Sequence, residues 1–335
     1  MEDAPEPEFE GWKFSKWLEE LSDGDEEKHT LLWQILSNTV DTNVTSESVI
    51  FLYSPKGSTG KSTFAELCIN LAGEDNTSIM RLKEFENEYS IASLYGSSLI
   101  YGDDNNPKDF NEKSDNLKSL ATGERVRGRE IYGKPFSFRV TPMIIQSMNG
   151  IPRFSDTTDG LIRRLRILKF NHVYRGENKN RDIKDKYIKD PRLLEYIMFN
   201  ALKYDSNHMI DTKESKAEKE ELKRDNDTVY MFMEDVFSQL TGDLIPMKLL
   251  FSAYQVWEYR ELGSEGLMKQ NTFTKRAKEH AEKYGYSYER KNKRIPSDYE
   301  TPTNDFGVLG QLLNMTFEEV EKHYELGKAI PLLFK

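Results

Sequence analysis

The chain has 335 residues, of which 37% are hydrophobic and 12% aromatic, enough to bury a real core and to exclude an intrinsically disordered protein. At about 150 residues per domain, this length predicts two domains with room for a small third. Forty-seven Lys and Arg against 57 Asp and Glu give a net charge of −10, and the single cysteine, Cys68, excludes a disulfide framework and a thiolate metal cage. The acidity is concentrated: residues 1–29 hold eleven carboxylates against Lys13, Lys16 and Lys28, a balance of −8 that leaves −2 on the other 306 residues. Local basic patches, not the total, therefore decide whether nucleic acid is a partner. No run of about 18 apolar residues occurs, so no membrane span or membrane partner is expected. The opening MEDAPEPEFE is the opposite of a secretory n-region, and a cytoplasmic setting is expected.

Residues 9–40 read as two helices, with Phe9, Trp12, Phe14, Trp17, Leu18 and Leu21 at spacings of three and four, a break at SDGDEE, and then Leu31 to Val40. Residues 49–170 read as an α/β unit: a strand Val49–Tyr53, a Gly-rich turn, a helix Ser62–Leu71, and strands at 98–101, 143–147 and 166–170. Strands alternating with helices imply a mainly parallel sheet with functional loops at its carboxyl ends. Residues 211–227, DTKESKAEKEELKRDND, read as a solvated linker or exposed helix at a domain boundary. Amphipathic helices resume at 228–294, Tyr284–Arg290 reads as a strand or wing, and 295–335 as a tail with one helical stretch, 316–324.

The run Pro55-Lys56-Gly57-Ser58-Thr59-Gly60-Lys61-Ser62, continued by Thr63, lies between an apolar strand and a helix. Phosphate binding needs small residues so that backbone amides approach oxygen, a helix N-terminus with unpaired donors, and a lysine for the terminal phosphates. ATP is the expected cofactor, with Ser62 placed to hold Mg²⁺ through its hydroxyl. Pro55 stands where the strict pattern has glycine. At the end of the next strand, Asp103 is the candidate Mg²⁺ carboxylate and Asp104 the candidate group that orients or activates a water. Asp103-Asp104-Asn105-Asn106-Pro107 is also good turn chemistry. Asn149 ends the following strand, where an amide can meet both a γ-phosphate and the attacking water; Asn-Gly is equally at home in a plain turn.

Of Arg163, Arg164 and Arg166, one of the first two is the candidate for acting in trans on a neighbour's γ-phosphate, and Arg166 is assigned a structural role. Between the acidic pair and Asn149, Lys118, Arg125, Arg127, Arg129, Tyr132, Lys134 and Arg139 form a basic, aromatic segment. It reads as a hairpin with its tip at Gly133-Lys134, suited to following a phosphate backbone and stacking on bases, or as a plain solvated hairpin. Residues 269–294 add a second basic patch, including Lys275, Arg276, Arg290, Lys291 and Lys293, on a helix-then-wing pattern that suits duplex contact or a solvated face.

Taken in order, the phosphate loop, the acidic pair, Lys118-Ser119-Leu120-Ala121-Thr122-Gly123 leading to Arg129 and Lys134, Asn149 and the Arg163-Arg164 pair resemble superfamily-3 helicases. The match is most similar to the helicase part of phage and plasmid primase-helicases and to replication initiator helicases of mobile genomic islands. The resemblance implies an AAA+ P-loop core at 49–210, preceded by a helical collar at 1–48 for oligomerisation. It also implies a winged-helix-like domain at 228–294, beyond the charged linker 211–227 and before the tail 295–335. It implies that Lys61, Ser62 and Asp103 bind ATP and Mg²⁺, that Asp104 is catalytic and Asn149 a sensor, and that Arg163, with Arg164 as rival, is the finger. Lys134 would grip single-stranded DNA inside a homo-hexameric ring moving 3′ to 5′. The expected function is an ATP-dependent DNA helicase of a phage, plasmid or mobile genomic island, acting on single-stranded and forked DNA, with origin DNA or host replication proteins as further partners. The alternatives are an initiator that melts an origin without processive unwinding, and a nucleotide-regulated DNA-binding scaffold.

Overall fold

Glu10 and Gly11, at φ 51° and 83°, turn the chain so that Glu8–Phe9 and Trp12–Lys13 pair as a short hairpin. Helix α1 (Phe14–Leu21) therefore starts later than the apolar spacing from Phe9 predicts, because Phe9 and Trp12 pack around Tyr187 instead. Asp25 caps α2 (Glu26–Val40), accepting from the Lys28 amide at 2.9 Å. The computed structural model describes residues 5–107, 109–111, 113–154, 159–175, 180–262, 268–290 and 293–335. They divide into two units, Met1–Asn226 and Asp227–Lys335. No helix among the described residues is long and apolar enough to cross a membrane.

The first unit continues through β1 (Val49–Tyr53), α3 (Lys61–Ala72), β2 (Thr77–Ile79), α4 (Glu88–Ala92), β3 (Leu99–Asn105) and α5 (Asp115–Ala121). A hairpin of β4 (Arg125–Arg129) and β5 (Pro135–Arg139) follows, then β6 (Met143–Met148), β7 (Leu165–Lys169), α6 (Pro191–Ala201) and α7 (Lys213–Asn226). Five strands form one wholly parallel sheet in the order β7–β1–β6–β3–β2. Both faces are covered, as a parallel sheet requires. Along β1, Ile50 and Leu52 join one apolar cluster with Phe64, Leu67 and Cys68 of α3, while Val49 and Phe51 join the other. The period-2 alternation of a continuous apolar strand thus builds two cores, and every strand's carboxyl end opens on the same edge.

The helices expected as a collar are part of this unit: Trp17, Leu18, Leu32 and Leu36 share the cluster of α3 and the sheet, and Trp33 stacks on Tyr204 at 5.3 Å. The charged segment read as a solvated linker or exposed helix is α7, a helix exposed on one side and fastened on the other. Its Ser215 Oγ accepts from the Ile167 amide at 3.0 Å, its Glu218 pairs with Lys169, and its Leu222 enters the core. It thereby covers the outer edge of β7, and the division between units falls at its end.

The second unit contains α8 (Thr228–Asp235), β8 (Leu244–Pro246), α9 (Met247–Leu262), α10 (Gln270–Ala281), β9 (Ser287–Glu289), α11 (Thr303–Leu313), α12 (Phe317–Lys322) and β10 (Leu332–Phe334). β10, from the segment expected as a tail, is the central strand of a three-stranded antiparallel sheet between β8 and β9. Buried Asp305 binds the amides of Thr241 and Gly242 at 2.7 and 2.9 Å, so residues 295–335 are integral to this unit.

Candidate functional site

The loop after β1 is sewn to its neighbours at the root. Buried Ser54 donates through Oγ to the Phe170 carbonyl at 2.8 Å, and its amide donates to the Met148 carbonyl at 3.2 Å. Ser58 and Gly60 adopt φ 60° and 83°, and a Cβ on Gly60 would come within 2.9 Å of Leu21 Cδ2 and 3.3 Å of Tyr174 Cε2. Glycine is required there on both counts. Pro55, Lys56, Gly57 and Ser58 are exposed and Thr59 is buried. Gly60 supplies no side-chain cap to α3, so the first-turn amides, including those of Lys61, Ser62 and Thr63, lack an intrahelical acceptor. Such an arrangement can cradle an anion.

Lys61 is only 9% exposed; its Nζ donates to the Met148 carbonyl at 2.8 Å and to Asn149 Oδ1 at 2.9 Å. Burial lowers its pKa, and the Asp103 and Asp104 carboxylates pull it back up. Those two aspartates are exposed at an irregularity in the β3–β6 register, with Asp104 at φ 53° and its amide donating to Asp103 Oδ1 at 2.9 Å. The sheet therefore brings Lys61, Asp103, Asp104 and Asn149 to one edge, beside the start of α3. Among the described residues no group of three or more His, Cys, Asp or Glu is placed to hold a metal. Mg²⁺ needs no such cage: one or two carboxylates, waters and phosphate oxygens suffice, and the exposed Asp103 carboxylate with the exposed Ser62 hydroxyl offers that donor set.

Two residues that the sequence reading did not assign hold the acidic pair in place. Buried Asn105, read as turn chemistry, accepts from the Leu82 amide at 2.9 Å and donates to Gln146 Oε1 at 3.0 Å and the Ser147 carbonyl at 3.2 Å. Gln146, fully buried in β6, donates to the Met80 carbonyl at 3.1 Å. A Cβ on Gly102 would meet Gln146 Oε1 at 2.1 Å, so this network closes on glycine. A glutamine inside the apolar run Met-Ile-Ile-Gln-Ser-Met was the available signal. A cavity of about 410 Å³ also adjoins the loop, lined by Trp17, Ser58, Gly60, Thr63, Tyr174, Ile183 and Lys184 among others. Two aromatic side chains lining a cavity beside this loop could accept a planar ring. Nothing in the spacing of Trp17 and Tyr174 marked them for this.

Arg163 and Arg164 are at the opposite edge. The Val49 amide donates to the Arg164 carbonyl at 2.8 Å, so both precede β7 at the amino ends of the strands. Arg164 is committed to the Gly160 carbonyl of its own turn, whereas Arg163 is exposed and has no side-chain partner among the described residues. Arg166 bonds the Met209 and Arg163 carbonyls at 3.1 and 2.7 Å.

The hairpin register pairs Arg125 with Arg139 and Arg129 with Pro135, which centres the turn on Tyr132 rather than on Gly133-Lys134. Tyr132 is fully exposed at φ 63°, an outlier for an aromatic residue, and Ile131 beside it is 72% exposed. Lys134 is exposed one step down the hairpin. Arg129 braces the turn, its Nε donating to the Gly133 carbonyl at 3.2 Å, and Lys118 pairs with Asp115 at 3.0 Å. In the second unit Lys275 and Arg290 are exposed, but Arg276 lies 3.9 Å from Asp227 and Lys293 sits 3.4 Å over the Phe334 ring. Lys291 lies outside the described residues.

A family model described as a family of unknown function (DUF5906) matches residues 52–164, and one described as Poxvirus D5 protein-like matches residues 224–311. Neither spans half of the chain. Among solved structures, the fold is similar to the apo structure of the NrS-1 C-terminal region, with TM-score 0.53 and 14% identity, covering 96% of this chain and 74% of that one. It is similar also to the A form of the same region, with TM-score 0.53 and 13% identity, covering 100% and 83%. At such identities the likeness is one of fold.

Proposed function

We propose that the chain is an ATP-dependent DNA helicase of the superfamily-3, AAA+ type. It would move 3′ to 5′ on single-stranded DNA as a homo-hexameric ring, in the replication of a phage, plasmid or mobile genomic island. The observation that carries this reading is the convergence of the Ser54–Gly60 cradle, Lys61, the Asp103–Asp104 pair and Asn149 on one sheet edge. The Poxvirus D5-like match and the NrS-1 fold likeness agree with a replication role, and the two-unit division leaves the second unit for a winged-helix-like DNA contact through Lys275 and Arg290.

In this reading the cradle amides and Lys61 bind the β- and γ-phosphates, and the base enters the Trp17–Tyr174 cavity. Ser62 and Asp103 would hold Mg²⁺, which when bound offsets phosphate charge. Asp104 takes the proton of the attacking water as the new P–O bond forms and the bond to the β–γ bridging oxygen breaks, releasing ADP. Arg163 cannot reach this centre in its own chain, because the five-residue strand β7 separates the two edges by roughly 16 Å. It would serve the site of a neighbouring copy, which makes assembly a condition of turnover.

Forked-duplex unwinding with ATP and Mg²⁺ tests the reading. Native protein should separate strands, Lys61→Ala should lose hydrolysis, and Lys134→Ala should keep hydrolysis but lose unwinding. Hydrolysis without unwinding from either tail polarity would replace the helicase with an origin-melting initiator or a nucleotide-regulated scaffold.

A further inference from the structure

Asn149 contacts the lysine of the loop and also precedes Gly150, forming the single Asn-Gly pair in the sequence. An asparagine side chain is open to attack at Cγ by the backbone nitrogen of the residue that follows, and a glycine there leaves that nitrogen unshielded. The glycine is not free to vary. A Cβ at position 150 would meet Pro107 Cγ at 2.8 Å and Cβ at 2.9 Å, so packing against the turn after the acidic pair imposes it. The Asn149 side chain is exposed, so water reaches it. Its Oδ1 accepts from Lys61 Nζ at 2.9 Å, while its Nδ2 and the Gly150 amide donate no hydrogen bond among the described residues. An ammonium on the carbonyl oxygen stabilises the negative charge that develops there as Cγ becomes tetrahedral. The attacking nitrogen and the leaving nitrogen are thus both uncommitted, and the oxygen of the same amide carries a cation.

We propose that Asn149 is a site of spontaneous deamidation promoted by Lys61, and that the product closes the loop to phosphate. The Gly150 nitrogen gives its proton to solvent base and bonds to Cγ. The Cγ–Nδ2 bond then breaks, Nδ2 takes up a proton, and ammonia leaves a five-membered succinimide. Water adds to either carbonyl of that ring and opens it, giving aspartate or isoaspartate at position 149 with no oxidation or reduction. The aspartate product sets a carboxylate where Oδ1 now meets Lys61. A bond to a neutral amide becomes an ion pair, and a third negative group joins Asp103 and Asp104 around the lysine. Repulsion from three carboxylates then opposes the arrival of phosphate. This consequence rests on the nucleotide reading above; the deamidation itself does not. A bound phosphate that draws Lys61 away removes the promoting cation, so loaded protein is spared and idle protein is retired.

The test is peptide mapping by mass spectrometry of the full chain held in mildly alkaline buffer, alone, with ATP and Mg²⁺, or with inorganic tripolyphosphate. In the protein alone, Asn149 should convert faster than exposed Asn43 and Asn207, and loss of ATP turnover should follow the converted fraction. Lys61→Met should slow conversion by at least about tenfold, less than the 10²–10³ of a donor in a closed site because Asn149 faces water. ATP or tripolyphosphate should slow it likewise, a comparison on native protein that does not depend on the variant folding. Asn149→Asp should bind ATP at least about tenfold more weakly than native from the outset. Equal conversion in native and folded Lys61→Met protein, or a rate at Asn149 no higher than at Asn43 and Asn207, overturns the site. Full conversion without loss of turnover overturns the closing of the loop, and conversion unslowed by saturating ATP overturns the sparing of loaded protein. Lys61-dependent conversion in a chain that neither binds nor hydrolyses ATP removes the nucleotide reading and leaves the modification site standing.

Discussion

Lys61 Nζ lies 2.9 Å from Asn149 Oδ1, a contact that joins the start of α3 to the end of β6 across 88 residues of sequence. The same ammonium also bonds the Met148 carbonyl, so the cation of the cradle is docked on the strand end instead of reaching into solvent. Under the proposed nucleotide reading, a phosphate entering the loop would exchange with these acceptors, and Asn149 would be released as the lysine is captured. Such an exchange would give the amide a physical means of sensing whether the terminal phosphate is present.

Replacing Lys61 with alanine should lower ATP turnover by about 10²–10³, the range for removing one preorganised charge donor at a reacting centre. Stability should change little, because the two lost hydrogen bonds are offset by relief from burying an ammonium. Steady-state phosphate release together with a thermal melt checks both. Turnover within threefold of native would remove Lys61 from the reaction.

Arg163→Ala and Lys61→Ala should each be inactive alone yet regain turnover when mixed. A subunit with intact Lys61 then meets an intact Arg163 from its neighbour. Arg164→Ala should behave differently, losing about 1–2 kcal/mol of stability as the Gly160 carbonyl loses its donor. Absence of any recovery across mixing ratios, under conditions where the subunits assemble, would sink the trans role.

Asn105→Ala should unfold the first unit more readily, by about 2–4 kcal/mol, because it strands the Leu82 amide and Gln146 inside the core. Turnover should fall with it, since the Asp103–Asp104 irregularity is anchored by this amide. Denaturant titration beside an activity assay separates the two effects: a variant as stable as native would show that the network is not held by Asn105.

Tyr174→Ala should raise the KM for ATP about tenfold with kcat nearly unchanged, while affinity for inorganic tripolyphosphate stays at the native value. Loss of both affinities together would place Tyr174 at the phosphates or in the fold, not at the base.

In the second unit, Asp227 caps α8 through the Val229 and Tyr230 amides, each at 3.1 Å, and meets His280 Nε2 at 2.9 Å. Burial pushes its carboxyl pKa up, but the bonds from His280 and the Tyr230 amide and the charge of Arg276 outweigh it, and the net shift is downward. A depressed folded pKa contributes stability above the unfolded value of about 3.9, and that contribution is lost as pH falls through the folded value. The stability gap between native protein and Asp227→Asn should therefore close below about pH 4. A gap that does not narrow at all as pH falls below the unfolded value would mean the cap does not depend on the charge.

Local sequence determined whatever depends on neighbours along the chain. The apolar alternation of Val49–Tyr53 specifies a strand buried on both faces, and the small residues from Gly57 to Gly60 specify a tight turn into a helix, because backbone freedom and side-chain period are properties of a few consecutive residues. The charged run 211–227 was legible as a helix or linker at a boundary for the same reason. Tertiary structure decided what depends on partners far away. The acceptor that Arg166 takes turned on the Met209 carbonyl, 43 residues on, and the side on which α7 is fastened turned on the edge of β7. The fate of Lys293 turned on Phe334, and the hairpin apex moved to Tyr132 because cross-strand pairing, not the position of glycine, sets the register. The central place of Leu332–Phe334 in its sheet was equally hidden, since Leu332 and Leu333 are buried there only once β8 and β9 stand on either side.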